Sequence, residues 1–530
     1  MVRHPGSWLA VLVLAALPRT SAAQKAAAPD SLYDSRLNEL RVASVAWENR
    51  AGPTRKVVDQ VCFVPDVPTF LAVVATWDRG QWFPILIDDT ELGLKFLRAF
   101  RPARVVRFPK AVPAVPQEQL WNAAVRAVGR SWAARGAAKG DVPSGEAVPP
   151  KDLGPTPPGV VVSALGSPSL AGAVALAAGR FQPLLRWETE KRAADSLSST
   201  EADQLVFDLE TKIIALIPGH DRLGDDCDFL TLAGDYPFRA EITGGPNAGL
   251  GCFDDRLART GDDKHRWAYT GRLIGDPAES VYRAMCSLFL QPRVALLFNG
   301  YEQQGDPWTD YAMGPAAQRL DTTLPVKHRS GVEQSGLAGW HQTFDPVNTY
   351  GLILMNSHGQ PSAMSLAGQT GQTADVPLTE PAAVLTIHSY SAADPWNPAT
   401  LAGRWLANGA FVYFGSMNEP FLQSFRTPTL VADLIAEGLP LSTAARQGRG
   451  EPFSLPWRLI YLGDPLYRVR PKNAQGARTS LAETPAWPEY KVYKTPDARA
   501  TDEVKLAWAL QAAIALAGGR RPAPAIDLPG

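Results

Sequence analysis

Two strand ends in the second half of the chain carry groups able to do chemistry: His358, in Asn356-Ser357-His358-Gly359, and His388-Ser389, followed by Tyr390-Ser391. An imidazole ionises near neutral pH and can serve as general base or acid. A serine hydroxyl becomes a nucleophile when such a base takes its proton, and it normally requires a third group to orient the base and an oxyanion hole. Asp394 is close to Ser391 in sequence and could be that orienting group. The reaction served by this set would be acyl transfer, with His358 as base and Ser389 or Ser391 as nucleophile. His388 points away from Ser389 if the strand continues, and reads as structural. A metal held by His358, His388 and Asp394 is a weaker alternative, because the spacing matches no established ligand pattern.

The elements that must position these residues alternate regularly from residue 293 onward. Strand Arg293–Phe298 leads to helix Asp310–Leu320, and strand Tyr350–Met355 ends at Asn356-Ser357-His358-Gly359. Strand Ala383–Ile387 ends at His388-Ser389. Helix Thr400–Ala407 and strand Phe411–Phe414 follow, then helices Thr429–Glu437 and Ser442–Gln447, and strand Arg458–Leu462 closes at Gly463-Asp464-Pro465. Such alternation predicts right-handed crossovers and a mostly parallel sheet, whose chemistry lies beyond the carboxyl ends of the strands.

Upstream, Phe229–Ala233 reads as a buried strand. Asp276 caps a helix with Pro277 at its first position and Val281, Ala284, Met285 and Leu288 on one face. Val64–Leu86 and Ser163–Leu185 align without gaps at an offset of 99 residues, each a strand ending, a helix and a Pro-led apolar run, which predicts a βαβ duplication. β-rich runs are expected after them at Arg104–Phe108 and Gln204–Phe207.

The ordered set Ile353-Leu-Met-Asn-Ser-His358-Gly359, Ala383–Ile387 with its loop, Phe411-Val-Tyr-Phe-Gly415-Ser416 and Leu462-Gly463-Asp464-Pro465-Leu466 resembles the caspase-fold peptidases of the gingipain type. The Asp235 and Gly271-Arg272-Leu273 region resembles the smaller subdomain that precedes this unit in the family. The resemblance covers roughly residues 225–470 and implies an α/β, caspase-like, mostly parallel sheet flanked by helices. It further implies His358 as the family's histidine. Where the family has its nucleophilic cysteine this chain has Ser389, or Ser391 if the loop aligns differently, and no cysteine follows Cys286. A thiol ionises easily beside one imidazole; a hydroxyl does not. The expectation is a catalytically inactive or atypical relative that binds a protein or peptide, with a Ser/His hydrolase as the alternative. Trp396, Trp405 and Trp457 would flank the site, lining a groove or packing the core.

The rest of the sequence narrows the field. The 530 residues allow two or three domains, and a formal net charge of −1 with no long basic run argues against a nucleic-acid partner. Met1–Ala23, with Arg3 and His4 before an apolar run that ends in Ser21-Ala22-Ala23, reads as a cleavable signal peptide. No later run is long enough to span a bilayer, so an exported, periplasmic or extracellular protein is expected. The expected division is 24–224 (an α/β region with a flexible excursion at 136–159), 225–290, 291–470, and 471–530 (linker, one helix at Asp502–Ala517, and a disordered tail). Cys62, Cys227, Cys252 and Cys286 allow two disulfides or four buried thiols, and no cysteine spacing suggests a metal. Asp225-Asp226, Asp228, Asp254-Asp255 and Asp262-Asp263 could hold calcium, although a solvated acidic loop is the preferred reading. No other cofactor is implied: no P-loop or GxGxxG follows a strand, and no GxSxG elbow exists. Neighbouring carboxylates point apart, which disfavours a glycosidase pair.

Overall fold

The structure is a computed structural model and describes residues 55–108, 115–134, 146–149, 153, 158–243, 248–260, 265–303, 305–345, 349–446, 458–470, 478–480 and 491–494. The signal segment, most of the 136–159 excursion, the Asp502–Ala517 helix, Asp262, Asp263 and Trp457 lie outside these residues.

Short apolar runs bounded by glycine, proline or capping residues build a small sheet and a large one. The small sheet holds β1 (Gln60–Val64), β2 (Ile85–Ile87) and β3 (Arg104–Arg107). In the large sheet, β4 (Gly159–Ser163), β5 (Leu184–Arg186), β6 (Phe229–Ala233) and β7 (Tyr269–Leu273) come first in the chain. They are followed by β8 (Ala295–Asn299), β9 (Val326–Arg329) and β10 (Leu352–Asn356). A three-stranded hairpin sheet then intervenes, β11 (His358–Gln360), β12 (Ala363–Leu366) and β13 (Gln369–Gln372). The large sheet is completed by β14 (Ala382–Ile387), β15 (Ala410–Ser416) and β16 (Leu459–Leu462).

The ten strands of the large sheet run in the order β9-β8-β10-β14-β15-β16-β7-β6-β4-β5. Every neighbouring pair is parallel except β15 and β16, which are antiparallel. The sheet is thus two parallel halves of opposite direction joined at one seam. This is the mixed α/β, mostly parallel, helix-flanked architecture that the strand–helix alternation predicts.

Both segments of the 99-residue offset fold as a parallel strand pair linked by a helix: β1 and β2 through α1 (Val67–Val74), and β4 and β5 through α4 (Leu170–Arg180). Between them lie α2 (Thr90–Phe100) and α3 (Gln117–Ser131). The two units enter different sheets. The Gln204–Phe207 segment is helical, not β-rich, and lies inside α5 (Ser199–Leu216). Ser198 and Glu201 form a reciprocal capping box, and Ala202, Val206, Leu209 and Ile213 are buried. Those two local signals override the β preference of Val206-Phe207. α6 (Pro277–Phe289) starts at the Asp276 cap with Val281, Ala284 and Met285 buried, as its pattern predicts.

β4 and β5 come from the region before residue 225 yet share the large sheet with the strands after it. In the stretch expected to be a linker, β17 (Lys491–Lys494) pairs antiparallel with β3, and Thr479 bridges Val58. The chain after residue 470 therefore returns to the amino-terminal sheet. Among the described residues, no helix is long and apolar enough to cross a membrane.

At the seam, the middle acidic residues are buried and not solvated. Asp254 and Asp255 are both 0% exposed. The Arg272 guanidinium of β7 donates to both oxygens of Asp254 and to the Tyr236 and Pro237 carbonyls. Asp255 accepts from Arg259 at 2.9 Å, from Arg446 at 2.8 Å and from Arg266. Burial alone would raise the Asp255 carboxyl, but the three guanidinium groups hold it well below the usual carboxylate range.

Candidate functional site

β10 and β14 are adjacent and parallel, with Asn356 paired to Ile387, so the two Ser/His doublets leave the sheet side by side. Both strands are mostly apolar and buried along their whole length, and the Ser/His pairs follow directly at their carboxyl ends. Ser357 still donates its backbone N–H to the Ile387 carbonyl at 3.0 Å, and His358 then opens the β11–β12 hairpin.

His358 is half-buried. Its Nε2 lies 3.0 Å from the Gln303 Oε1, an acceptor, so Nε2 carries the proton and Nδ1 keeps its lone pair. The ring leans on Tyr301 at 4.5 Å between centroids, with Trp308 edge-on at 6.5 Å. Partial burial lowers the affinity of His358 for a second proton, and the charges of Glu302 and Glu419 oppose that effect.

Ser389 is also half-buried, and its hydroxyl donates to Glu419 Oε1 at 2.8 Å. The same oxygen accepts the Phe421 N–H at 2.9 Å. Tyr390, the next residue, has φ 60°, the left-handed region that a tyrosine rarely adopts. Ser391 is 0% exposed. Its Oγ lies 3.3 Å from Thr386 Oγ1 and accepts the Ser416 N–H, so it is a hydroxyl that ties β14 to β15. Among the described residues, the hydrogen bonds of His358 and of Ser389 do not join the two.

A hydroxyl–imidazole pair does exist, made by the other member of each doublet. Ser357 Oγ lies 2.7 Å from His388 Nδ1. His388 Nε2 lies 3.2 Å from the Gln360 carbonyl, which can only accept. Nε2 therefore carries the proton and Ser357 donates to Nδ1. Both residues are buried, which agrees with the structural reading of His388. Burial pushes the His388 imidazole down to about 4; its bond to Gln360 opposes the shift and nearby His358 adds to it.

A histidine held neutral in the fold but free to protonate when unfolded makes stability depend on pH. The contribution is full above the unfolded value of about 6.5 and is lost as the pH falls through the folded value near 4. Wild type should therefore lose about 3 kcal/mol between those limits relative to His388→Gln. Urea unfolding of the two chains at pH 7 and pH 4 measures the difference, and equal pH dependence would remove the assignment.

The remaining predicted groups are dispersed. The Asp394 backbone carbonyl accepts from Thr400, and its charge acts on Arg239. Trp396 is half-buried against Phe238, and Trp405 is in the core beside Trp340. In the acidic loop, Asp225 accepts three backbone N–H groups, from Asp221, Arg222 and Cys227. Among the described residues, no group of three His, Cys, Asp or Glu side chains could hold a metal. Cys62, Cys227, Cys252 and Cys286 are all free and buried, and burial raises every thiol. Glu419, Gln303 and Tyr301 complete the site without any motif of their own in the sequence.

No family model and no curated protein matches the chain. A solved structure called "Structure of Protease" is similar over 59% of this chain and 78% of its own, with a TM-score of 0.41 and 11% identity. At that level of likeness the functional reading rests on the site itself.

Proposed function

We propose that the chain is an exported, gingipain-like caspase-fold protein whose edge beyond β10, β14 and β15 binds a peptide or protein segment without hydrolysing it. One observation carries the reading: the Ser389 hydroxyl donates to the Glu419 carboxylate, while the His358 imidazole is engaged with Gln303. A nucleophilic serine must build negative charge on its oxygen. In a Ser/His dyad that happens because the hydroxyl proton passes to the imidazole, whereas here the proton is turned to a carboxylate 2.8 Å away and the imidazole has another partner. The export part of the proposal rests on Met1–Ala23.

A Ser389/His358 hydrolase is the second reading, favoured by the left-handed Tyr390 directly after Ser389. Backbone strain of this kind clusters at active sites. Incubating the purified mature chain with serine- and cysteine-directed covalent probes separates the two readings. No probe should label in a His358-dependent manner, while a random peptide library should yield ligands whose capture is lost in Trp308→Ala. Labelling of Ser389 that disappears in His358→Ala would establish the hydrolase instead.

A further inference from the structure

We propose that Ser357 and His388 are the positioning pair of this site: their buried hydrogen bond fixes the relative placement of His358 and Ser389. The inference rests on reading this edge as the ligand site, but its geometry needs no ligand. Each doublet divides its labour by the alternation of extended chain. One member turns inward and is locked; its neighbour turns outward and is presented.

The lock has three parts. Ser357 joins β14 through its own N–H to Ile387 and through its hydroxyl to His388. His388 then reaches across to the Gln360 carbonyl, which belongs to the β11 strand that His358 opens. Gly359 completes the arrangement, because a Cβ there would meet the Ala363 carbonyl at 2.1 Å and the His388 ring at 2.5 Å. The imidazole therefore occupies space that only glycine leaves open. His358 sits between two locked residues, Ser357 and Gly359, and Ser389 is attached directly to a third.

The same three groups have the hydroxyl–imidazole–acceptor order of a nucleophilic dyad. Their exposure decides between the roles. Ser357 is 2% exposed and His388 is 3% exposed, so no substrate reaches them. A buried polar network with every member satisfied rigidifies what it connects.

The test follows the titration of His358 by NMR in the full mature chain, with its six histidines (His4 leaves with the signal segment) carbon-labelled in the ring and His358→Gln assigning the signal. In Ser357→Ala and in His388→Ala the hairpin loosens, water reaches His358, and its midpoint should rise toward 6.5 by about half a unit. Ser357→Thr keeps the hydroxyl and should keep the wild-type midpoint. Val384→Ala, a core truncation in β14, should destabilise the chain and leave the midpoint in place.

A midpoint unmoved in both Ser357→Ala and His388→Ala, or moved as far by Val384→Ala, overturns the proposal. If either alanine variant fails to fold, His388→Gln, which can both donate and accept, takes its place. It should hold the midpoint within about 0.2 unit of wild type, and a larger shift overturns the proposal. Labelling of Ser357 by a fluorophosphonate would make it a nucleophile and overturn the proposal as well. Failure of the chain to capture any peptide would sink the proposed function and leave these titrations unchanged.

Discussion

Asp255→Ala should lower the stability of the protein by about 3–5 kcal/mol, the usual result of removing one partner from a buried ion pair. The carboxylate has no exposure, and its two oxygens face Arg259, Arg266 and Arg446. Without it, three guanidinium groups converge on a dry site with no charge between them. The loss reaches beyond one loop, since Arg446 also donates to the Leu459 carbonyl at the start of β16. That strand joins the two halves of the sheet. A fall of roughly 5 °C in the thermal midpoint is expected, together with a lower urea midpoint. A loss below about 1 kcal/mol would mean that water or another anion replaces the carboxylate.

Ser389→Cys should give a sluggish thiol, and combining it with Glu419→Gln should speed its alkylation by iodoacetamide at pH 7 at least tenfold. The sulfur would stand where the Ser389 oxygen now donates to the Glu419 carboxylate. A thiolate beside a carboxylate is disfavoured by like charge, and one unit of thiol ionisation is a factor of ten in the reactive species. The neutral amide removes that penalty. The four native thiols are buried and contribute little background. Equal rates in the two variants would show that Glu419 does not restrain this position, and a non-hydrolytic site would lose its physical basis.

Much of the large sheet is legible from residue order alone. Phe229–Ala233 and Ala382–Ile387 are uninterrupted runs, mostly apolar, and both strands are buried along their whole length. Asp276-Pro277 announces its helix by capping chemistry. β9, by contrast, is an edge strand reading Val-Lys-His-Arg, and an edge needs no apolar signature to pair on one side. β11 and β13, the two edges of the hairpin sheet, are short and polar for the same reason.

In the site, the two doublets are visible in the sequence because consecutive strand ends in a parallel sheet converge. Glu419, Gln303 and Tyr301 are not, because they arrive from loops after other strands and only the tertiary fold brings them in. The Ser357–His388 pair does have a signal. Ser-His and His-Ser at neighbouring strand ends imply, by alternation, that one residue of each faces inward. The burial of Asp254 and Asp255 also has one, in the arginines at 256, 259, 266 and 272. Four cations so near in sequence are partners more readily than they are surface.

The antiparallel contact between β15 and β16 has a consequence for how the molecule meets its surroundings. Strands that reverse midway across a sheet send their crossover loops out fore and aft, so carboxyl-terminal strand ends and their loops lie at both ends of the molecule. Whatever docks beyond β10 and β14 leaves the loops that follow β4, β6 and β7 on the far side. A particle held by one end can still offer the other.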